Sequence, residues 1–90
     1  MNEIIQRAVA GTLESSDVFV TLEPNVSGLE IEIDSVVQNQ FGEAIRNVAM
    51  EVLSEQNISN AKLSIVDRGA LDCVIRARVE TAVLRGKGEC

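Results

Sequence analysis

Residues 29–56 read LEIEIDSVVQNQFGEAIRNVAMEVLSEQ, and the spacing of their apolar residues changes after Ser35. Leu29, Ile31 and Ile33 alternate with acidic residues, which predicts a strand with one buried face and one solvated, acidic face. The apolar residues that follow recur every three or four positions: Val37, Phe41, Ala44, Ile45, Val48 and Val52, with Ala49 and Leu53 beside them. This stretch therefore predicts a strand followed by one long amphipathic helix.

Both ends of the predicted helix carry recognisable signals. Ser35 followed three residues later by Gln38 has the pattern of a capping box. At the other end, Asn57 tolerates the left-handed conformation, and Ile58 could then contact Leu53 in a Schellman-type closure.

Three further segments alternate in the manner of strands, namely residues 17–23, 61–67 and 73–79. The turn residues 24–28 predict a hairpin between the first strand and residues 29–34, and Asp67, Arg68 and Gly69 predict a turn before the last strand. A short helix should begin near Glu80, and residues 86–90 should fray. Arg76 and Arg78 would then lie on an outer sheet face, and they would lie opposite Glu30 and Glu32 if the two strands are neighbours.

The predicted fold is therefore α+β. Its four-stranded, mostly antiparallel sheet has two hairpins, is covered on one face by the long helix, and is followed by the short C-terminal helix. Ninety residues allow a single domain, 1–90, of which residues 1–16 form a flexible N-terminal segment. Because only 2% of the residues are aromatic, the core must consist of Val, Ile, Leu and Ala.

The charge balance disfavours several classes of partner. Eight basic and 14 acidic residues give a net charge of −6, which repels nucleic acid and anionic membranes and attracts basic protein surfaces. No apolar run is long enough to span a bilayer, and the first residues lack the layout of a secretory signal, so we expect a cytoplasmic protein.

The two cysteines do not predict a metal site or a disulfide. Cys73 and Cys90 have no CxxC spacing, and the chain contains no His. We expect both thiols to be reduced and Cys73 to be structural.

Residues 8–18 read AVAGTLESSDV and match neither a helix nor a strand pattern. Gly11, the serines and Asp17 favour turns, so this is predicted to be an exposed loop, and a solvated turn is its simplest interpretation. Without His, neither Ser15 nor Ser16 can be activated in a Ser-His-Asp triad. Glu14 and Asp17 could act as paired carboxylates only in a shielded pocket, which this loop does not predict. A serine that receives a phosphate-linked group from another enzyme remains open.

Three segments together resemble the acyl carrier protein of citrate lyase, its gamma subunit. They are AVAGTLESSDV from Ala8, QFGEAIR from Gln40 and GALDCVIRARVETAV from Gly69. The resemblance spans nearly the whole chain, with the three motifs in order. It implies a non-catalytic carrier, without catalytic or metal-binding residues of its own.

The resemblance also implies a covalent cofactor, phosphoribosyl dephospho-CoA, joined by a phosphodiester to the serine that follows Leu-Glu, which is Ser15. Ser16 lies where the family pattern would accept Ser or Gly. The thiol of the arm would carry acetyl and citryl groups between the alpha (transferase) and beta (lyase) subunits, as citrate is cleaved to acetate and oxaloacetate. A separate transferase would load the arm.

Two other interpretations stay open. The carrier subunit of malonate decarboxylase has a similar arrangement and a similar arm, although the LESSD and GALDC motifs favour citrate lyase. The second is a regulatory or interaction domain whose serine is never loaded.

Overall fold

The computed structural model describes residues 3–35 and 38–88. Its elements in chain order are β1 (Ala8–Gly11), β2 (Val18–Glu23), β3 (Leu29–Ser35), α1 (Gln38–Glu55), β4 (Ala61–Asp67) and α2 (Asp72–Gly86). The predicted α+β class, with four strands, one long helix and a C-terminal helix, is confirmed.

The four strands form one mixed sheet in the order β1-β2-β4-β3. β1 pairs with β2 and β2 with β4 in antiparallel fashion, whereas β3 and β4 are parallel and are joined through α1. The predicted hairpin of residues 17–23 with 29–34 is wrong, since β4 lies between β2 and β3. The alternating pattern predicted β2 and β3, but it could not show that the chain returns through α1 and inserts β4 between them.

Both helices pack on the same face of the sheet and contact each other. The residues of the two central strands that face them are buried: Val18, Val20 and Leu22 of β2, and Ala61, Leu63 and Ile65 of β4. On the helices, the buried side chains include Ile45, Ala49, Val52 and Leu53 of α1 and Ile75, Val79, Ala82 and Val83 of α2. Leu29, Ile31 and Ile33 are only half-buried, because β3 is an edge strand.

Two assignments from the sequence are corrected. Residues 8–11, predicted as loop, form β1, whose Ala8 and Ala10 are buried against α2. Residues 73–79, predicted as a strand, belong to α2, which begins at Asp72 rather than near Glu80, so the second predicted hairpin is also wrong. Cys73 and Ala77 are exposed, so the alternation of apolar residues in this segment does not mark a buried strand face. Cys73 therefore does not have the buried position expected of a structural cysteine.

The helical assignment of residues 72–86 also moves two arginines away from their predicted partners. Arg76 forms ion pairs with Glu51 and Glu55 of α1 rather than facing Glu30 or Glu32. Arg78 reaches the loop between β1 and β2 instead, which places it at the candidate site.

The end of α1 confirms the predicted closure at Asn57 and Ile58. Asn57 has a φ of 59°, and Ile58 N donates to Leu53 O at 2.9 Å, as a Schellman closure requires. Ser35, the predicted N-cap, ends β3 and donates its hydroxyl hydrogen to Asp67 at 2.8 Å, and α1 begins at Gln38. Its capping role stays a prediction, because residues 36–37 lie outside the described ranges. Val37, the first residue of the predicted stripe, lies outside the described residues.

Candidate functional site

The loop that contains the two serines, residues 12–17, joins β1 to β2 and is closed by a tight turn. Asp17 N donates to Glu14 O at 3.1 Å, so Ser15 and Ser16 are the two central residues. Ser16 has a φ of 65°, the left-handed value that the third residue of a type II turn adopts. Glycine meets this requirement without strain, which explains physically why Ser or Gly would be acceptable at this position.

Ser15 lies at the tip of the turn and is exposed. Its hydroxyl forms no hydrogen bond with any other residue that the structure describes. Ser16 is also exposed, but its backbone N–H donates to Arg68 O at 2.8 Å. The structure thus brings both serines to the surface and ties the backbone of the second one to the body of the protein.

Asp17 holds the loop in place from its C-terminal side. One carboxylate oxygen accepts from Thr12 Oγ1 at 2.6 Å and from Arg78 Nη2 at 3.1 Å. The other accepts from Val18 N at 2.7 Å and from Arg78 Nε at 3.2 Å. The Asp17 side chain is only 15% exposed, so this fork between carboxylate and guanidinium fixes the loop against α2.

A second connection joins the loop to the segment between β4 and α2. Arg68 N donates to Asp17 O at 2.9 Å, while Arg68 O accepts from Ser16. The predicted turn at Asp67, Arg68 and Gly69 is confirmed, with Gly69 at a φ of 93°. The serine turn is therefore anchored at both sides and exposed only at its tip.

Gly11 provides the backbone conformation with which the chain turns from the end of β1 into the loop of residues 12–17. Its φ is 91°, and a Cβ atom at this position would overlap the carbonyl oxygen of Val18 and approach the Arg78 side chain to 3.3 Å. That Val18 oxygen accepts from Thr12 N at 3.2 Å, which closes the neck of the loop. The site consequently depends on glycine at position 11.

The hydrogen bonds to Asp17 lower the pKa of its carboxyl from 3.8 to about 2, with Thr12 making the largest contribution, followed by Val18 and Arg78. A lowered folded-state pKa stabilises the fold above the unfolded pKa, and this contribution is lost as the pH falls from about 4 through about 2. The Arg78 side chain is 40% exposed, so solvent ions screen its ion pair with Asp17, and added salt should weaken that pair.

We therefore expect Asp17→Asn to lower the free energy of unfolding at neutral pH, and the difference from wild type to shrink as the pH falls from 4 to 2. Urea unfolding at pH 7, 4, 3 and 2 measures this. Glu14→Gln is the matched control, because Glu14 is an exposed acid of the same loop without an ion pair in the described residues. A constant difference between Asp17→Asn and wild type at all four pH values would contradict the assigned role.

The sequence identified some of these residues and missed others. It indicated Ser15, Ser16, Glu14 and Asp17, but Glu14 and Asp17 do not form a carboxylate pair, since Asp17 is taken up by Thr12, Val18 and Arg78. The roles of Thr12, Arg68 and Arg78 were missed. For Thr12 a signal existed, because hydroxyl residues commonly bond backbone and acidic groups of their own turn.

The described residues contain no group of three His, Cys, Asp or Glu side chains placed to hold a metal ion. None of the helices in the described ranges has the length and apolarity to cross a membrane.

Comparisons with known proteins agree over nearly the whole chain. The family model ACP, described as malonate decarboxylase delta subunit (MdcD), matches residues 5–86. A protein of Latilactobacillus sakei named citrate lyase acyl carrier protein is 51% identical over 87 residues, covering 97% of this chain and 86% of its own. One of the same name from Vibrio cholerae is 52% identical over 84 residues, covering 92% and 86%.

A solved structure supports the fold independently. One chain of a Pseudomonas malonate decarboxylase hetero-tetramer, crystallised in complex with malonate, superposes with a TM-score of 0.80 at 27% identity and covers 92% of this chain and 86% of its own. The identities near 50% over almost the full length carry the assignment. The chain belongs to the family of citrate lyase acyl carrier proteins and is a non-catalytic carrier.

Proposed function

We propose that Ser15 carries phosphoribosyl dephospho-CoA through a phosphodiester and that the chain serves as the gamma subunit of a citrate lyase. The observation that carries this proposal is the exposed Ser15 hydroxyl at the tip of an anchored turn, in a chain about 50% identical to citrate lyase acyl carrier proteins. The thiol of the bound group would carry acetyl and citryl groups as citrate is cleaved to acetate and oxaloacetate.

The surroundings of Ser15 fit a phosphodiester. Its hydroxyl has no competing partner in the described part of the chain, and the turn leaves its side exposed to an incoming enzyme. Arg68, whose backbone is bonded to Ser16, is exposed and forms no ion pair with another described residue, so a cation is available beside the turn. Glu14 is exposed on the same turn and supports recognition by the loading enzyme rather than chemistry.

Ser16 suits the role of a neighbour better than that of an attachment point. Its backbone N–H is held by Arg68, and its positive φ serves the shape of the turn. Ser15 is free of both constraints. We therefore assign attachment to Ser15 and turn formation to Ser16.

The proposed partners are the alpha (transferase) and beta (lyase) subunits of citrate lyase and the transferase that loads the arm. Charge supports such docking: the net charge is −6, and Glu30, Glu32 and Asp34 are exposed in a row on β3. Complementary basic surfaces would speed each encounter. A group on a short flexible tether also reaches two active sites at an effective concentration on the order of millimolar. The proposed location is the cytoplasm, where an exposed thiol such as Cys73 stays reduced.

The second candidate is the carrier subunit of malonate decarboxylase. It is favoured by the description of the matching family model and by the superposition on a malonate decarboxylase chain. Identity is 27% to that chain and 51–52% to the citrate lyase relatives, which places citrate lyase first. Reconstitution of the loaded chain with the subunits of each enzyme in turn would separate the two.

The test is an intact mass of the protein expressed alone and together with citrate lyase loading enzymes. We expect an added mass equal to the cofactor only in the second sample, and fragmentation should map it to Ser15. The variant Ser16→Gly should load as wild type does, since glycine accepts the φ of 65°. An unmodified mass, with enzymes proven active on another carrier, would leave an interaction domain as the remaining interpretation.

A further inference from the structure

A groove of about 520 Å³ opens beside the segment that anchors the serine turn, between the first part of α2 and α1. Most of its wall is apolar, and Leu71 is 71% exposed at its edge. Ala44, which the sequence placed in the buried stripe of α1, is exposed here instead. The groove lining also includes the apolar Ile45, Ala70 and Ile75 and the acidic Asp67 and Asp72.

One polar group of this groove is built into the protein. Asp67 is 2% exposed and accepts hydrogen bonds from Ser35 Oγ at 2.8 Å and from Ala70 N at 2.9 Å. A carboxylate has about four acceptor positions, so these bonds leave capacity for a further N–H or O–H donor. The groove therefore combines apolar walls with one fixed acceptor, the usual composition of a small-molecule site.

Ser15 lies close to this groove. Ser16 is hydrogen-bonded to Arg68, the neighbour of Asp67, and Val18 pairs directly with Asp67 across β2 and β4. With about 3.8 Å between consecutive Cα atoms and about 5 Å between bonded neighbours, the Ser15 and Asp67 Cα atoms are at most about 13 Å apart. An arm that contains a nucleotide and a pantetheine chain is longer than this distance.

We propose that this groove binds the neutral pantetheine end of the arm that the same chain carries on Ser15, an inference that rests on the proposed function. The two amide N–H groups of pantetheine are donors for Asp67, and its dimethyl group suits the walls made by Ile45, Ala70 and Ile75. Asp67 and Asp72 would repel the phosphates, so only the uncharged end of the arm enters.

The carboxylates of Asp67 and Asp72 also distinguish between the groups that the arm carries. An arm that ends in a free thiol or an acetyl group is neutral there and can lie in the groove. An acyl group that itself bears carboxylates is repelled by the two aspartates. The groove thus holds the arm between visits to the partner subunits and releases it once it bears an anionic acyl group.

Nuclear magnetic resonance of the full chain tests this, with loading at Ser15 first established by intact mass. Loading should shift the amide and methyl signals of Ala44, Ile45, Ala70 and Leu71, and should leave those of Met50 and Ser54, which line a separate groove of α1, unchanged. Free pantetheine added to Ser15→Ala at concentrations of about a millimolar should shift the same groove signals, since tethering contributes effective concentration.

Ala44→Leu narrows the groove, and Ser54→Leu is its control at an exposed position of the same helix. Loss of the loading-induced shifts in Ala44→Leu, and their retention in Ser54→Leu, is the expected result. A fully loaded protein whose groove signals do not move overturns the inference and leaves the proposed function intact. Groove signals that move only after a partner subunit is added also overturn the inference and leave the proposed function intact. A protein that does not load at Ser15 overturns both.

Discussion

Ser15→Ala should produce a folded protein that accepts no cofactor and supports no turnover in a reconstituted citrate lyase. Ser15 is exposed, and its hydroxyl bonds to no described residue, so its loss removes only the attachment point. Stability should change by no more than about 0.5 kcal/mol, as is usual for surface positions. Activity should fall to background, because no other group of the chain replaces a covalent tether.

Three measurements check this prediction together: the intact mass after co-expression with loading enzymes, the rate of citrate cleavage with added alpha and beta subunits, and the urea midpoint. Ser16→Gly is the matched control, which should load, turn over and unfold like wild type. Retained turnover in Ser15→Ala, or an added mass on Ser16 in that variant, would show that attachment is not specific to Ser15.

Much of this fold was predictable from the chain because its central elements are patterned without ambiguity. β2, β3 and β4 alternate cleanly, and α1 has a helical stripe that ends in a Schellman closure. The order of the strands was not predictable, since alternation reports which face of a strand is buried and not which strand lies beside it. The parallel pairing of β3 with β4 follows from the path of α1, which local patterns do not record.

The two misassigned segments, residues 8–11 and 73–79, belong to elements that pack against each other, β1 and α2. β1 consists of Ala, Val, Ala and Gly, a short run with weak strand propensity that is stabilised by packing of α2 on Ala8 and Ala10. In residues 73–79 every second residue is apolar, yet the wider window from Ile75 to Gly86 has its buried residues at helical spacing. The longer pattern prevails because a helix here buries Ile75, Val79 and Val83 together.

In the candidate site, the features that depend on local sequence were predictable, and those that depend on the tertiary fold were not. Sequence indicated the exposed serines, since turn chemistry is local. The contact between Asp17 and Arg78 spans 61 positions, and the backbone bonds of Arg68 depend on the sheet order, so neither could be foreseen. The groove beside Asp67 likewise requires the correct placement of both helices.

Gly11→Ala, at the residue where β1 meets the loop, should destabilise the protein by about 2 to 4 kcal/mol, because a strained backbone position alone costs about 1–3 kcal/mol. The added Cβ would overlap the Val18 carbonyl oxygen, so relief requires opening the end of the β1–β2 hairpin. That movement also breaks the bond from Thr12 N to Val18 O and disturbs Arg78.

Gly28→Ala separates the two causes of this loss. Gly28 has a φ of 78°, and a Cβ placed there has no heavy atom within 4 Å, so this variant should lose only the conformational term, about 1 kcal/mol. Thermal unfolding should then place Gly11→Ala at least about 5 °C below Gly28→Ala. Equal midpoints would show that the neck of the loop opens without cost. In that case its anchoring could not be what presents Ser15, and Gly11→Ala should load as fast as wild type. With the neck closed as described, loading of Gly11→Ala should instead slow at temperatures where the variant remains folded, since the enzyme must then bind a turn that is no longer held against Arg78.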